Sequence, residues 1–96
     1  MTRPNILVVA GHDPSGGAGI QADIEAAAAH GVHAAAVISV LTCQDTHNVY
    51  GVKPVDADFF SECLDAVVAD MSIDAVKLGV IASAEHVAII TTLMDR

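Results

Sequence analysis

Ninety-six residues make at most one domain, and 53% of them are hydrophobic while only 3% are aromatic. Net charge is −8, with Arg3, Lys53, Lys77 and Arg96 carrying all the Lys/Arg charge; this argues against nucleic acid and anionic membrane as partners but not against a nucleotide, whose phosphates backbone N–H groups and Mg²⁺ can hold. No apolar run approaches the ~18 to 20 residues of a membrane span, and Met1 to Asn5 leads straight into a strand with no room for a signal peptide, so a cytoplasmic location is expected.

Asn5 to Gly11 reads as the first strand, a continuous apolar run of the kind buried on both faces. It stops at a turn-rich stretch, Gly11-His12-Asp13-Pro14-Ser15-Gly16-Gly17-Ala18-Gly19, with three glycines within four positions. A helix is predicted over Ala18 to His30, closed by Gly31 as a C-cap. A second apolar strand, His33 to Leu41, gives way to the polar segment Cys43-Gln44-Asp45-Thr46-His47-Asn48. Val49 to Val52 alternates and reads as a small strand or flap outside the main sheet. Asp56 is placed to cap a helix over Ala57 to Met71, whose buried stripe is Phe60, Leu64, Val67, Val68 and Met71. Asp74 to Leu78 forms a third strand ending at Gly79, and Ser83 caps a last helix over Ala84 to Asp95, with Glu85 in its first turn.

Three strands alternating with three helices imply an α/β fold, a parallel sheet with right-handed crossovers. Such a sheet has two long edges and too little material to cover both faces. Residues 1–96 therefore read as the first portion of one larger domain.

Strand, glycine loop and helix start form the local plan of many phosphate and small-molecule sites. The loop lacks the P-loop's lysine, and Ser15 has Asp13 where a nucleophile elbow needs glycine. Gly17-Ala18-Gly19-Ile20-Gln21-Ala22 matches a loose dinucleotide fingerprint, but it begins six residues after Gly11. Asp23 has two readings, a charge serving the helix dipole or a carboxylate offered to a polar ligand. Gln44 lies just past the second strand, on the sheet edge where ligands of parallel sheets bind; its amide carries donor and acceptor together, which suits an aminopyrimidine edge, whereas the plain alternative is loop capping. Gly79 and Val80 would form the floor or wall of the same cleft, and His12 lies within the loop. Lys77, on a strand read as buried, is expected to pair with a carboxylate or reach the sheet end. The histidines show no metal spacing, Cys43 with His47 lacks an orienting group, and Cys43 and Cys63 are expected as free thiols packed as small hydrophobes.

The run Gly11 to Asp23, with Val37-Ile38-Ser39-Val40-Leu41-Thr42-Cys43-Gln44-Asp45-Thr46 and Ile73-Asp74-Ala75-Val76-Lys77-Leu78-Gly79, resembles the N-terminal part of the hydroxymethylpyrimidine/phosphomethylpyrimidine kinases of thiamine biosynthesis, in the ribokinase-like superfamily. The resemblance implies a three-layer α/β/α fold, and ATP- and Mg²⁺-dependent phosphorylation of 4-amino-5-hydroxymethyl-2-methylpyrimidine and then of its monophosphate. It implies that Gln44 bonds the pyrimidine's amino group and ring nitrogen, and that Asp23, Gly11 and Ala18 line the pocket. His12 stands where the family commonly has Ser, Cys43 where it has Ala, and Val80 where it has Met, which shortens a pocket wall. Family members run well beyond this length, and their anion hole, catalytic base and most ATP contacts lie in the later part. No catalytic residue or metal ligand is therefore expected within 1–96, and this piece alone should be inactive. The family tends to dimerise, with Val49 to Val52 as a candidate interface strand. Pyridoxal kinase, a non-catalytic pyrimidine-binding module and a nicotinamide protein are the competing readings.

Overall fold

A computed structural model describes residues 3–80 and 83–95. The chain runs β1 (Asn5–His12), α1 (Gly19–Ala29), β2 (His33–Gln44), β3 (Val49–Pro54), α2 (Ala57–Asp70), β4 (Ala75–Leu78) and α3 (Ala84–Met94). The strands form one sheet in the order β3-β2-β1-β4. β1 pairs in parallel with β2 on one side and β4 on the other, while β3 returns antiparallel along β2.

The two-sided burial expected of the first strand is realised by its alternation. Leu7 and Val9 face Phe60, Leu64 and Ile90 of α2 and α3, while Val8 and Ala10 face Ile20 of α1. All four strand residues are at most 1% exposed, so the sheet is covered on both faces where β1 runs. Three layers follow: α1, the sheet, and α2 with α3.

Two expectations are corrected. Val49 to Val52 is not a flap outside the sheet: it belongs to β3, making four strands instead of three and a mixed sheet instead of a purely parallel one. The polar segment before it is a hairpin connection, which is why it lacks periodicity. Its Asp45 carboxylate accepts from the N–H groups of His47 and Asn48 and from the Tyr50 hydroxyl, at 2.8, 2.9 and 2.7 Å. β4, expected as a buried strand, is an exposed edge strand in all four of its residues.

The helix signals act as their chemistry requires. Asp56 accepts from the Phe59 N–H at the start of α2, and Ser83 from the His86 N–H at the start of α3. His86, 3% exposed, ties the helical layer to the sheet: its Nε2–H donates to the Val55 carbonyl at 2.8 Å, and its ring tilts against Phe60 at 4.6 Å. Of the two free thiols, Cys63 packs against the core, whereas Cys43 is exposed because it lies on the outer stretch of β2.

Phe60 is fully buried at the junction of α2, α3 and the sheet. Phe60→Ala should cost about 3–5 kcal/mol of unfolding free energy, read from urea denaturation, because the cavity cannot close between two strands and two helices. Phe60→Leu should cost distinctly less.

Candidate functional site

The site lies at the C-terminal end of the parallel strands, where β4 stops opposite Val9, β1 stops at His12 and β2 runs on to Gln44. A bulge shifts the β1–β2 register between Ala10 and Gly11, so that Gly11 pairs with Val40 and His12 with Leu41. The chain then makes a tight loop and comes back on itself, with His12 and Gly19 forming an isolated bridge.

That return depends on two residues. Gly19 has φ +69°, and a Cβ there would run into the Gly11 carbonyl oxygen. Asp13 is the knot: its Oδ1 accepts from the Ser15 N–H at 2.9 Å and the Ser15 hydroxyl at 2.7 Å, and its Oδ2 accepts from the Ala18 N–H at 3.1 Å. The Ser15 hydroxyl, then the backbone N–H groups of Ser15, Ala18 and Gly17, hold the Asp13 carboxyl below its usual range, against an opposing push from burial. In the sequence Asp13 served only to exclude a nucleophile elbow at Ser15. Its structural task is signalled by the Asp-Pro-Ser spacing, which matches an Asx-type turn. Ala18 occupies the N-cap of α1 in extended conformation, and no side chain caps that helix.

The loop forms one wall of a cleft of about 600 Å³, within the size range of small-molecule sites. β2 contributes Thr42 and Gln44, β3 contributes Val49 and Val52, and the chain after β4 contributes Gly79 and Val80. Gly79 is drawn tightly onto β1: its N–H donates to the Val9 carbonyl at 2.7 Å, and a Cβ would stand 2.7 Å from that of Ala10. Val80 is held from across the sheet by the fully buried Ser39, whose hydroxyl donates to the Val80 carbonyl at 2.6 Å.

The structure thus brings together Gly11, His12, Ala18, Gln44 and Val80, five of the six residues singled out in the sequence. Asp23 is the exception. It lies outside the residues lining the cleft and faces Lys77, whose Nζ approaches its two carboxylate oxygens at 2.8 and 3.0 Å. The expected pairing of Lys77 with a carboxylate is there, but not in the interior: Lys77 stands on the edge strand with half its side chain exposed. Lys77 does line the cleft, so the pair bridges the cleft and the outer side of α1. Gln44 is the last residue of β2, three residues beyond the predicted strand end at Leu41. Thr42, two residues earlier on the same strand, was missed; its hydroxyl donates to the His12 carbonyl and receives the Gln44 Nε2–H, each at 2.7 Å. A period of two places residues 42 and 44 on one face, a signal the sequence did contain. Among the described residues no three His, Cys, Asp or Glu side chains converge as a metal set.

Comparison with known proteins agrees with this fold. Residues 13–96 match the family model of phosphomethylpyrimidine kinase. The chain belongs to that family. It is 41% identical over all 96 residues to the hydroxymethylpyrimidine/phosphomethylpyrimidine kinase of Escherichia coli, covering 36% of that protein. The phosphomethylpyrimidine kinase structure from Clostridium difficile superposes with a TM-score of 0.91 at 34% identity, over 97% of this chain and 40% of that one. A Bacillus subtilis pyridoxal kinase in an ADP complex superposes with 0.90 at 27% identity, over 98% of this chain and 37% of that one. The ribokinase-like fold is thereby shown. The chain spans between 12% and 36% of the curated relatives' lengths.

Because the folded-state pKa of Asp13 is depressed, its contribution to stability is present above the unfolded value of 3.8 and disappears as pH falls through the folded value. The urea midpoint should therefore drop on acidification below about pH 4. In Asp13→Asn the midpoint should start lower at neutral pH and fall less steeply. Asp45, also depressed, by the Asn48 N–H and then the Tyr50 hydroxyl, adds to the same acid limb in both proteins.

Proposed function

We propose that these residues form the acceptor-binding part of an ATP- and Mg²⁺-dependent kinase that phosphorylates 4-amino-5-hydroxymethyl-2-methylpyrimidine and its monophosphate. The observation that carries this reading is that the Gln44 amide and the glycine loop line one cleft of small-molecule size. An amide with a free acceptor and a free donor matches a heterocycle edge in which an amino group stands beside a ring nitrogen. Gly11, Ala18, His12 and Val80 would enclose the ring, and the absence of a side chain at Gly11 and the smallness of Ala18 leave room for its substituents. Asp23 would act on the pocket through Lys77, which holds its carboxylate.

ATP supplies the phosphoryl group, with Mg²⁺ offsetting charge at the transferred phosphate. The ATP, Mg²⁺ and catalytic contacts are assigned, as the family resemblance implies, to the part of the family's length that residues 1–96 do not span. Two features favour a larger sheet and a homodimer. β4 leaves Val76 and Leu78 exposed along an unpaired edge, and β3 exposes Val49, Tyr50 and Val52 to at least 60%. A cytoplasmic setting fits the family's chemistry, and among the described residues no helix is long and apolar enough to cross a membrane. The net charge of −8 speaks for small-molecule partners over nucleic acid.

Pyridoxal phosphorylation is the second reading, favoured by the 27% identical pyridoxal kinase with the same fold. A binding module without transfer chemistry is the third. Calorimetric titration of the full encoded protein with the aminopyrimidine and with pyridoxal separates the first two. The aminopyrimidine should bind more tightly, and Gln44→Ala should weaken it by about 1–3 kcal/mol, roughly fivefold to 150-fold in Kd. Preferred binding of pyridoxal, unaffected by Gln44→Ala, would reverse the assignment. Tight pyrimidine binding without ATP consumption would support the module.

A further inference from the structure

We propose that Thr42 is a positioning residue: its hydroxyl fixes which way round the Gln44 amide faces the ligand, and so sets the choice between amino and oxo heterocycles. The inference rests on the pyrimidine reading of the cleft.

The reasoning is a count of protons. A threonine hydroxyl has one proton and two lone pairs. Thr42 Oγ1 lies 2.7 Å from the His12 carbonyl oxygen, which can only accept, so the single proton goes there. Oγ1 is left as an acceptor, and the group of Gln44 at 2.7 Å from it has to be an N–H donor. Turning the amide over would set its carbonyl oxygen against an oxygen with no proton to offer. Nε2 therefore stays on the Thr42 side, and Oε1 with one remaining N–H is what the amide can show to a ligand. The anchor is itself firm, because the His12 carbonyl belongs to the last residue of β1, beside the bridge that closes the glycine loop.

A pinned amide discriminates where a free one does not. A 4-aminopyrimidine presents a donor at position 4 beside an acceptor ring nitrogen. Its 4-oxo counterpart presents the reverse, an acceptor beside a ring N–H. A glutamine free to rotate serves both, whereas one held by Thr42 leaves like facing like with the oxo compound. Neither Cys43, whose side chain is exposed, nor Val80, an apolar wall, offers a polar group to make that distinction.

The test uses calorimetry on the full encoded protein with 4-amino-5-hydroxymethyl-2-methylpyrimidine and its 4-oxo analogue. The unaltered protein should prefer the amino compound by about tenfold or more. Thr42→Val, which keeps the shape and removes the proton, should narrow that ratio to within about threefold, chiefly by improving the oxo compound, whereas Thr42→Ser should keep the original ratio. An unchanged ratio in Thr42→Val, with Gln44→Ala still weakening the amino compound, overturns the role of Thr42 and leaves the pyrimidine reading standing. If Gln44→Ala leaves amino-compound binding intact, the pyrimidine reading itself falls. Should Thr42→Val not fold, nuclear magnetic resonance of the unaltered protein decides. One Gln44 side-chain N–H should exchange with solvent markedly more slowly than its twin, and two equally fast protons would refute the grip.

Discussion

β1 is the constraint to which the rest of the molecule is referred. It is paired on both edges as far as Val9 and covered on both faces, and its pairing with β2 carries the fixed backbone on to His12. Because side chains alternate along a strand, Leu7 and Val9 seat α2 and α3 while Val8 and Ala10 seat α1. The cleft begins where this packing stops, at Ala10 and Gly11. A ligand there would meet a rim whose position is set by the densest part of the core.

From that rim the loop is shaped by polar chemistry instead of packing. Asp13 is almost buried, yet its carboxylate is fully occupied by the loop's own donors, so its charge strengthens the turn without facing an incoming ligand unscreened. The tight return at Gly19 then brings the uncapped start of α1 to the cleft. The opposite wall is held by bonds that cross the sheet, from Ser39 to Val80 and from Thr42 to His12, so loops distant in sequence share one anchor strand. Such cross-strand ties are what keep polar side chains at a cleft in one geometry.

Family membership and site geometry are separate statements. The match to phosphomethylpyrimidine kinases and the ribokinase-like fold say what kind of protein the chain comes from. A pyridoxal kinase with nearly the same backbone shows that the fold alone does not choose the heterocycle. In the proposed reading that choice falls to Gln44, Thr42 and Val80, which line the cleft from different strands and loops.

Much of this was legible in one dimension. The apolar runs at Ile6 to Ala10 and Ala34 to Val40, the caps at Asp56 and Ser83, and the phase of Phe60 and Leu64 are local signals, and local physics decides strands, helix ends and buried faces. The glycine loop and Gln44 were legible for the same reason, since the residue type at a strand's end limits what can be built there. What the sequence could not contain was pairing. That Val49 to Pro54 folds back along β2, that Lys77 lies on an open edge, that Asp23 turns to Lys77 rather than the cleft, and that Thr42 reaches His12 are each contacts between residues far apart in the chain. Such contacts depend on which strands become neighbours, and only the assembled sheet determines that.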